Sequence, residues 1–192
     1  MTLPTGLLLH VVAILEQLGI PYHVGGSLAS SAHGMYRASA DVDLVIDPTA
    51  GQLDALAGAL EPEFYVSRTA VAEALARHGT FNAIHEPTSF KVDFFLKGPG
   101  AFDAEELRRS VRQSVGGEPA RTILIKSAED TVLRKLDWFR RGGEASERQW
   151  NDVVSVLAAM RGQLEDAHLD RWAPELGVAD LLARARREAD AL

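Results

Sequence analysis

The segment Val24-Gly25-Gly26-Ser27 is followed, after a short gap, by Asp41-Val42-Asp43-Leu44, and a third acidic position occurs in Val92-Asp93-Phe94. Two adjacent glycines allow a sharp turn and the close approach of a ligand to the backbone. Side chains two residues apart on a strand point to the same side, so Asp41 and Asp43 are expected to face one way. A third carboxylate on a neighbouring strand would complete a set of oxygen ligands of the kind that divalent cations prefer.

Length and composition limit the classes of protein to consider. The 192 residues suit one globular domain, with or without a small lobe, and the 46% apolar content supports a sizeable core. The absence of cysteine excludes disulfides and Cys-ligated zinc, and the net charge of -7 disfavours unspecific nucleic-acid binding as the main activity. No apolar run is long enough to span a bilayer and no basic segment precedes the first one, so we expect a cytoplasmic protein without a signal peptide.

The hydrophobic spacing predicts strands mixed with helices as far as residue 125 and helices alone beyond it. Predicted helices cover 7–18, 27–34, 49–60 and 69–78, and predicted strands cover 20–24, 41–46, 80–85, 90–96, 110–115 and 120–125. Later helices are predicted from Ser127 to Gly142, from Ser146 onward, and at about 165–176 and 178–190. This order predicts an α/β (α+β) fold with a core over 1–125 and a C-terminal helical lobe over 126–192, which we expect to form one compact unit.

The glycine turn and the acidic residues each allow a second interpretation. Gly25-Gly26-Ser27 can present backbone N–H groups and a hydroxyl at a helix N-terminus, which binds phosphate, or it can be a plain strand–helix turn capped by Ser27. Asp41 and Asp43 can bind a cation, or they can be surface residues of an edge strand unrelated to Asp93. The three features together favour a phosphate and cation site, because the segment between the turn and the acidic strand has room for one short helix.

Gly26-Ser27, Asp41-Val42-Asp43-Leu44 and Val92-Asp93-Phe94 together resemble the signature of the DNA polymerase β-type nucleotidyltransferase superfamily. The fuller pattern is similar to small prokaryotic members, including the AbiEii-type toxins of type IV toxin–antitoxin systems. The resemblance is firm over residues 20–96 and looser over the helical part. It implies a nucleotidyltransferase-type mixed twisted sheet flanked by helices, with a C-terminal helical lobe.

The resemblance also implies roles for the motif residues. Asp41 and Asp43 would bind two Mg²⁺ ions, with Mn²⁺ as an alternative. Asp93 would bind the ion nearer the acceptor and help to deprotonate the acceptor. Gly25-Gly26-Ser27 would hold the phosphates of a nucleoside triphosphate.

Two basic residues also match positions of the AbiEii-type pattern. Arg37 precedes the paired aspartates, and Lys135 follows an acidic pair on a helix, so both would contact the triphosphate. The alternatives are a solvated loop arginine and one charge of an amphipathic helix. A later element of that pattern is matched only in part, because Asp152 fits but Ser155 stands where a second Asp is expected.

The segment 107–148 is rich in basic residues and could face a triphosphate or an RNA acceptor, although a solvated helical face explains it equally well. Its basic residues include Arg108, Arg109, Arg112, Arg121, Lys126, Arg134, Lys135, Arg140 and Arg141.

The expected activity is the metal-dependent transfer of a nucleoside monophosphate from a nucleoside triphosphate to an acceptor, with release of pyrophosphate. The acceptor is open: a small molecule, a protein or an RNA end, with the acidic charge leaning against RNA. Two alternatives remain. The chain would act as an AbiEii-type toxin–antitoxin component with an antitoxin-like partner, or as a degenerate member that binds nucleotide without catalysis.

Overall fold

The computed structural model describes residues 3–34, 41–116 and 120–192. Within these ranges the chain forms nine helices and seven strands. The helices are α1 (Leu3–Gln17), α2 (Gly26–His33), α3 (Ala50–Leu60), α4 (Arg68–Arg77), α5 (Ala101–Arg108), α6 (Ala128–Arg141), α7 (Glu147–Ala159), α8 (Asp166–Glu175) and α9 (Ala179–Asp190). The strands are β1 (Tyr22–Val24), β2 (Asp41–Ile46), β3 (Phe64–Val66), β4 (Thr80–His85), β5 (Phe90–Leu96), β6 (Val111–Val115) and β7 (Arg121–Ile125).

Over the described residues, the strands form one sheet in the order β3-β4-β5-β2-β1-β7-β6. β2 runs parallel to β5 and β1 runs parallel to β7, whereas the other neighbouring strands are antiparallel. The sheet is therefore mixed, which confirms the predicted fold class. The β2–β5 pair matters most for function, because it fixes two distant chain segments side by side.

Alternation along the two central strands assigns one of their faces to the core. Val42, Leu44 and Ile46 of β2 are at most 1% exposed, and so are Val92 and Phe94 of β5. The residues between them are half-buried and form the opposite face. Helix α1 contacts β2 and α3, and both helices add buried aliphatic side chains to the core. The period-2 pattern of β2 and β5 thus separates a buried apolar face from a half-buried face that carries the charged residues.

Two elements were not predicted from the sequence. Strand β3 has three residues at the edge of the sheet, too few for a recognisable alternation. Helix α5 follows Gly98-Pro99-Gly100, a glycine–proline segment that is typical of a turn or chain break. Asp103 starts this helix by accepting a hydrogen bond from the Gly100 N–H at 2.9 Å, and only Phe102 and Glu106 are buried along it. Its apolar period is therefore too weak to read from the sequence.

The chain divides into two compact units: Met1–Gly26 with Ala38–Ile125, and Ser27–Arg37 with Lys126–Leu192. The first contains the whole sheet. The second combines most of α2 with helices α6 to α9, so the chain passes from one unit to the other inside the Gly26–Ser27 turn. In the part of the chain that the structure describes, no helix has the length and apolar character needed to cross a membrane.

Candidate functional site

The three predicted acidic residues lie on one face of the sheet in the first unit. In the parallel β2–β5 pair, Asp43 is the direct register partner of Asp93, and Asp41 is the partner of Lys91. Neighbouring strands lie about 4.8 Å apart, and residues two apart share a face, so all four side chains project from the same side. Each of them is half-buried. We call Asp41, Asp43, Asp93 and Lys91 the carboxylate face.

Lys91 is the member of this face that sequence reasoning missed. Its Nζ lies 2.6 Å from Oδ2 of Asp93. The hydrogen bond with Asp93 raises the pKa of Lys91, burial opposes that rise, and the charges of Asp93, Asp41 and Asp43 add to it. The sequence signal that could have identified Lys91 was its distance from Asp93 along the chain. Lys91 stands two residues before Asp93 on the same strand, so the two side chains share a face.

The glycine turn lies directly against the carboxylate face. The Gly25 N–H donates to the Asp43 carbonyl oxygen at 2.9 Å, which extends the ladder between β1 and β2. Gly26 has a φ of +55°, and a Cβ at this position would overlap the carboxylate of Asp43. Position 26 therefore requires glycine both for its backbone conformation and for the space that Asp43 occupies.

Asn82 of β4 extends the polar row on the far side of Asp93. It is the register partner of Asp93 and is exposed. Asn82, Asp93 and Asp43 therefore stand side by side on three successive strands. A carboxamide beside a carboxylate offers both a donor and an acceptor to a hydroxyl-bearing molecule. The sequence carried no separate signal for this residue, because its place depends on the β4–β5 hairpin register.

Ser27, the third predicted phosphate ligand, lies in the second unit. It is buried, and its Oγ accepts a hydrogen bond from the Arg148 guanidinium at 2.8 Å. Arg148 lies in the first turn of α7, at the end of the basic segment identified in the sequence. A hydroxyl and a guanidinium at the N-terminal turn of α2 are chemically suited to phosphate oxygens.

Lys135 and Asp152, which the sequence suggested separately, meet in the second unit. Lys135 Nζ lies 2.8 Å from Asp152 Oδ2 and 3.2 Å from Gln149 Oε1. The side chains of Lys135 and Asp152 are only 6% and 15% exposed. We call Lys135, Asp152 and Gln149 the Lys135 cluster. A buried ammonium with an opposite charge and a neutral acceptor is well satisfied.

The N-terminus of α6 carries a separate buried polar network. Ser127 caps the helix and donates from Oγ to Asp130 Oδ2 at 2.9 Å, while His168 of α8 lies 2.7 Å from Asp130 Oδ1. A serine, a histidine and an aspartate meet here, but the serine and the histidine both bind the aspartate, whereas in a hydrolase triad the histidine lies between the other two. This network ties α8 to α6 and is not a hydrolase triad.

The basic segment 107–148 is largely neutralised by acidic neighbours within each unit. Arg108 pairs with Glu105, and Arg134 and Arg141 both pair with Asp137. Arg140 pairs with Glu144 and Asp180, and Arg121 lies 3.8 Å from Glu16. These contacts favour the solvated, ion-paired interpretation over a basic surface for RNA.

The carboxylate face fits a hard divalent cation by the type and register of its donors. Three carboxylates on adjacent strands are costly to bring together without a compensating charge, and Lys91 supplies one. Among the described residues, no three His, Cys, Asp or Glu side chains converge closely enough to form a ready ligand set. An ion site that uses all three carboxylates would therefore need side-chain movement. Arg37 lies outside the described residues, so its predicted phosphate contact stays a prediction.

Three solved structures, of an antibiotic-resistance factor and of a nucleotidyltransferase-like protein, have a similar fold. The solution structure of the antibiotic-resistance factor ANT(2″)-Ia matches with a TM-score of 0.56 and 13% identity, over 94% of this chain and 97% of that one. Its crystal structure in complex with adenylyl-2″-tobramycin gives 0.58 and 13%, over 92% and 98%. An antigenic nucleotidyltransferase-like protein from Paracoccidioides brasiliensis gives 0.56 and 15%, over 96% and 92%.

At these identities the likeness establishes the fold. No protein-family model matches the chain, and no curated protein matches it in sequence. The three structures do not support the narrower resemblance to AbiEii-type toxins, which stays a prediction. The chain has a nucleotidyltransferase fold.

Proposed function

We propose that this chain is a metal-dependent nucleotidyltransferase that transfers a nucleoside monophosphate from a nucleoside triphosphate to a hydroxyl group. The observation that carries the proposal is the strand register, in which Asp43 stands opposite Asp93, with Asp41 on the same face. The Gly25-Gly26 turn lies against Asp43. A glycine turn of a type that binds phosphate, next to carboxylates that suit divalent cations, supports the proposal.

The reaction forms a bond between the acceptor oxygen and the α-phosphorus and breaks the bond from that phosphorus to the oxygen bridging to the β-phosphate. Pyrophosphate leaves, and Asp93 takes the proton of the acceptor hydroxyl. Asp41 and Asp43 would hold divalent cations, which neutralise the triphosphate and acidify the hydroxyl when bound. Asn82, beside Asp93, would orient the acceptor by hydrogen bonding.

Each of the two units carries groups that suit phosphate oxygens. Backbone N–H groups at the start of α2 are suited to phosphate oxygens, whereas the Gly25 N–H already donates to the Asp43 carbonyl oxygen. Arg148, hydrogen bonded to Ser27, would exchange this contact for phosphate. Lys135 and Arg37 are proposed as further phosphate ligands, the first on condition that it leaves Asp152.

A small hydroxyl-bearing molecule is the acceptor class that we favour. The net charge is -7, and four arginines of the basic segment, Arg108, Arg134, Arg140 and Arg141, are paired with acids, so a nucleic-acid surface is not supported. ANT(2″)-Ia, solved with adenylyl-2″-tobramycin, has the same fold over almost its whole length. No observation favours the toxin–antitoxin alternative, and the presence of all three carboxylates argues against a degenerate member.

The proposal is tested by incubating the protein with α-labelled nucleoside triphosphates, Mg²⁺ and a panel of acceptors. The panel contains polyhydroxylated amines, such as aminoglycosides, alongside RNA oligonucleotides. We expect label to reach a small hydroxylic acceptor, with loss of transfer in Asp93→Asn and full transfer in Asp54→Asn, which removes an exposed carboxylate of α3. Transfer that persists in Asp93→Asn would contradict the site, and labelling of RNA alone would contradict the acceptor class.

A further inference from the structure

We propose that Lys91 acts as a built-in counter-cation, which holds Asp93 in the metal-free protein and has to be displaced when a divalent cation binds. This inference rests on the proposed function, because it assumes that the carboxylate face binds the metal. It adds a residue that sets the metal affinity of the site and the state of Asp93 before substrate arrives.

The contact geometry supports direct competition for the same oxygen. Lys91 Nζ lies 2.6 Å from Asp93 Oδ2, which is ordinary charge-assisted hydrogen-bond distance. The Lys91 side chain is 42% exposed, whereas that of Asp93 is only 18% exposed. The more exposed lysine side chain thus contacts a carboxylate that has little exposure of its own. An ion that binds this oxygen has to replace the ammonium group.

The strand register gives Lys91 a second position when it leaves Asp93. Asp41 is its direct partner across the parallel β2–β5 pair, so both carboxylates lie within reach of one flexible side chain. The hydrogen bond with Asp93 is the largest cause of the raised Lys91 pKa, and the charges of Asp41 and Asp43 add to the rise by stabilising the charged lysine. A lysine suits such an exchange, because its ammonium is a compact charge on a flexible stem and makes no bidentate pair.

The energetic consequence is a lower apparent metal affinity. When only a fraction of the molecules has a free binding site, the apparent dissociation constant rises by the inverse of that fraction. If Lys91 holds Asp93 in about nine molecules of ten, removing the ammonium tightens metal binding about tenfold. The same removal leaves the carboxylates without this compensating charge, so the metal-free protein becomes less stable.

The test is calorimetric titration with Mn²⁺ of the wild type, Lys91→Met and Lys97→Met, at constant ionic strength. Lys97 follows β5 and pairs with Asp47 at 2.9 Å, so it is a matched lysine whose carboxylate partner lies outside the carboxylate face. We expect Lys91→Met to bind Mn²⁺ about tenfold more tightly, and Lys97→Met to change affinity by less than about twofold because screening weakens remote charges. Equal or weaker binding by Lys91→Met would overturn the inference.

Two further variants separate the possible failures. Lys91→Arg keeps the charge and can chelate Asp93, so it should bind Mn²⁺ no more tightly than the wild type; affinity equal to that of Lys91→Met would overturn the inference. Asp43→Asn should weaken Mn²⁺ binding. If it does while Lys91→Met binds like the wild type, the inference fails and the proposed function stands. If neither the wild type nor Lys91→Met binds Mn²⁺ at millimolar concentration, the metal site fails, and the inference with it.

Discussion

The carboxylate face and the Lys135 cluster use the same kinds of charged group in opposite ways. The carboxylate face sets three acidic side chains and one lysine on a half-buried sheet surface. The Lys135 cluster balances one buried ammonium with one carboxylate and a neutral amide. A surplus of like charge is costly and attracts a cation, whereas a balanced buried pair mainly maintains the packing around it. The difference predicts activity effects at the first and stability effects at the second.

The largest expected effect is loss of transfer in Asp43→Asn. This variant removes a proposed cation ligand, so the transfer rate should fall by roughly a thousandfold or more. The metal-free protein should melt no lower than the wild type, because the substitution relieves repulsion between like charges. Transfer rate and melting midpoint are measured on the same preparation. A folded Asp43→Asn variant with unchanged transfer would contradict the functional role proposed for the carboxylate face.

The second prediction concerns the Lys135 cluster. Lys135→Met leaves the carboxylate of Asp152 buried without this ammonium, which should cost about 3–5 kcal/mol of unfolding free energy. The double variant Lys135→Met/Asp152→Leu should recover much of that loss, as measured by urea denaturation. A single variant as stable as the wild type would show that the pair does not maintain the fold. Nucleotide binding by the refolded double variant then tests the proposed phosphate role of Lys135.

A smaller effect is expected at the turn. Gly26→Ala places a side chain at a φ of +55°, where its Cβ meets the carboxylate of Asp43. The backbone strain alone should cost about 1–2 kcal/mol, and displacement of Asp43 should also reduce transfer. Gly51→Ala is the matched control, because a Cβ there meets nothing within 4 Å and the helix α3 should be unharmed. Comparable losses of stability in the two variants would contradict the requirement for glycine at position 26.

The smallest effect is expected at Tyr22, a residue of the first unit for which we propose no role in ligand binding. Burial raises the pKa of Tyr22 to about 12; the Leu124 N–H, which donates to its hydroxyl, opposes the rise, and the hydrogen bond to Glu16 adds to it. A raised pKa means that the folded state keeps this proton up to a higher pH than the unfolded state does. The resulting contribution of Tyr22 to the free energy of unfolding is present below about pH 10 and is lost as the pH rises towards 12.

Tyr22→Phe removes this titration. Its unfolding free energy should be about 1 kcal/mol lower at neutral pH through loss of the hydrogen bonds. The difference from the wild type should shrink as the pH rises above 10, because only the wild type loses stability by ionising this group. The measurement is urea denaturation across alkaline pH. A difference that stays constant over this range would mean that the hydroxyl does not titrate as described.

The local alternation of apolar and polar residues was sufficient to predict the strands that carry the acidic residues. Alternation in β2 and β5 predicted their exact bounds and placed Asp41 and Asp43 on the face opposite the core. Contacts between distant segments could not be read in this way. The Lys91 contact with Asp93 needed no more than the spacing within β5, but its relation to Asp41 depends on the register of β2 against β5.

The helical lobe shows the same limit. The apolar period predicted α6 and α7, but a period does not specify which polar residues of two helices meet. Lys135 and Asp152, and Arg148 and Ser27, are paired by helix packing alone. The edge strand β3 and the helix α5 were missed for a different reason, because each is short and buries few apolar side chains.

The most direct test of the central claim is thermal melting of the wild type, Asp43→Asn and Asp54→Asn with each nucleoside triphosphate, in the presence and absence of Mg²⁺. A ligand that binds the native state raises the melting midpoint by mass action. The carboxylate face predicts a Mg²⁺-dependent rise with at least one triphosphate in the wild type and Asp54→Asn, and no such rise in Asp43→Asn. No rise with any triphosphate at millimolar concentration, or an equal rise in Asp43→Asn, would contradict a metal-dependent nucleotide site on this face.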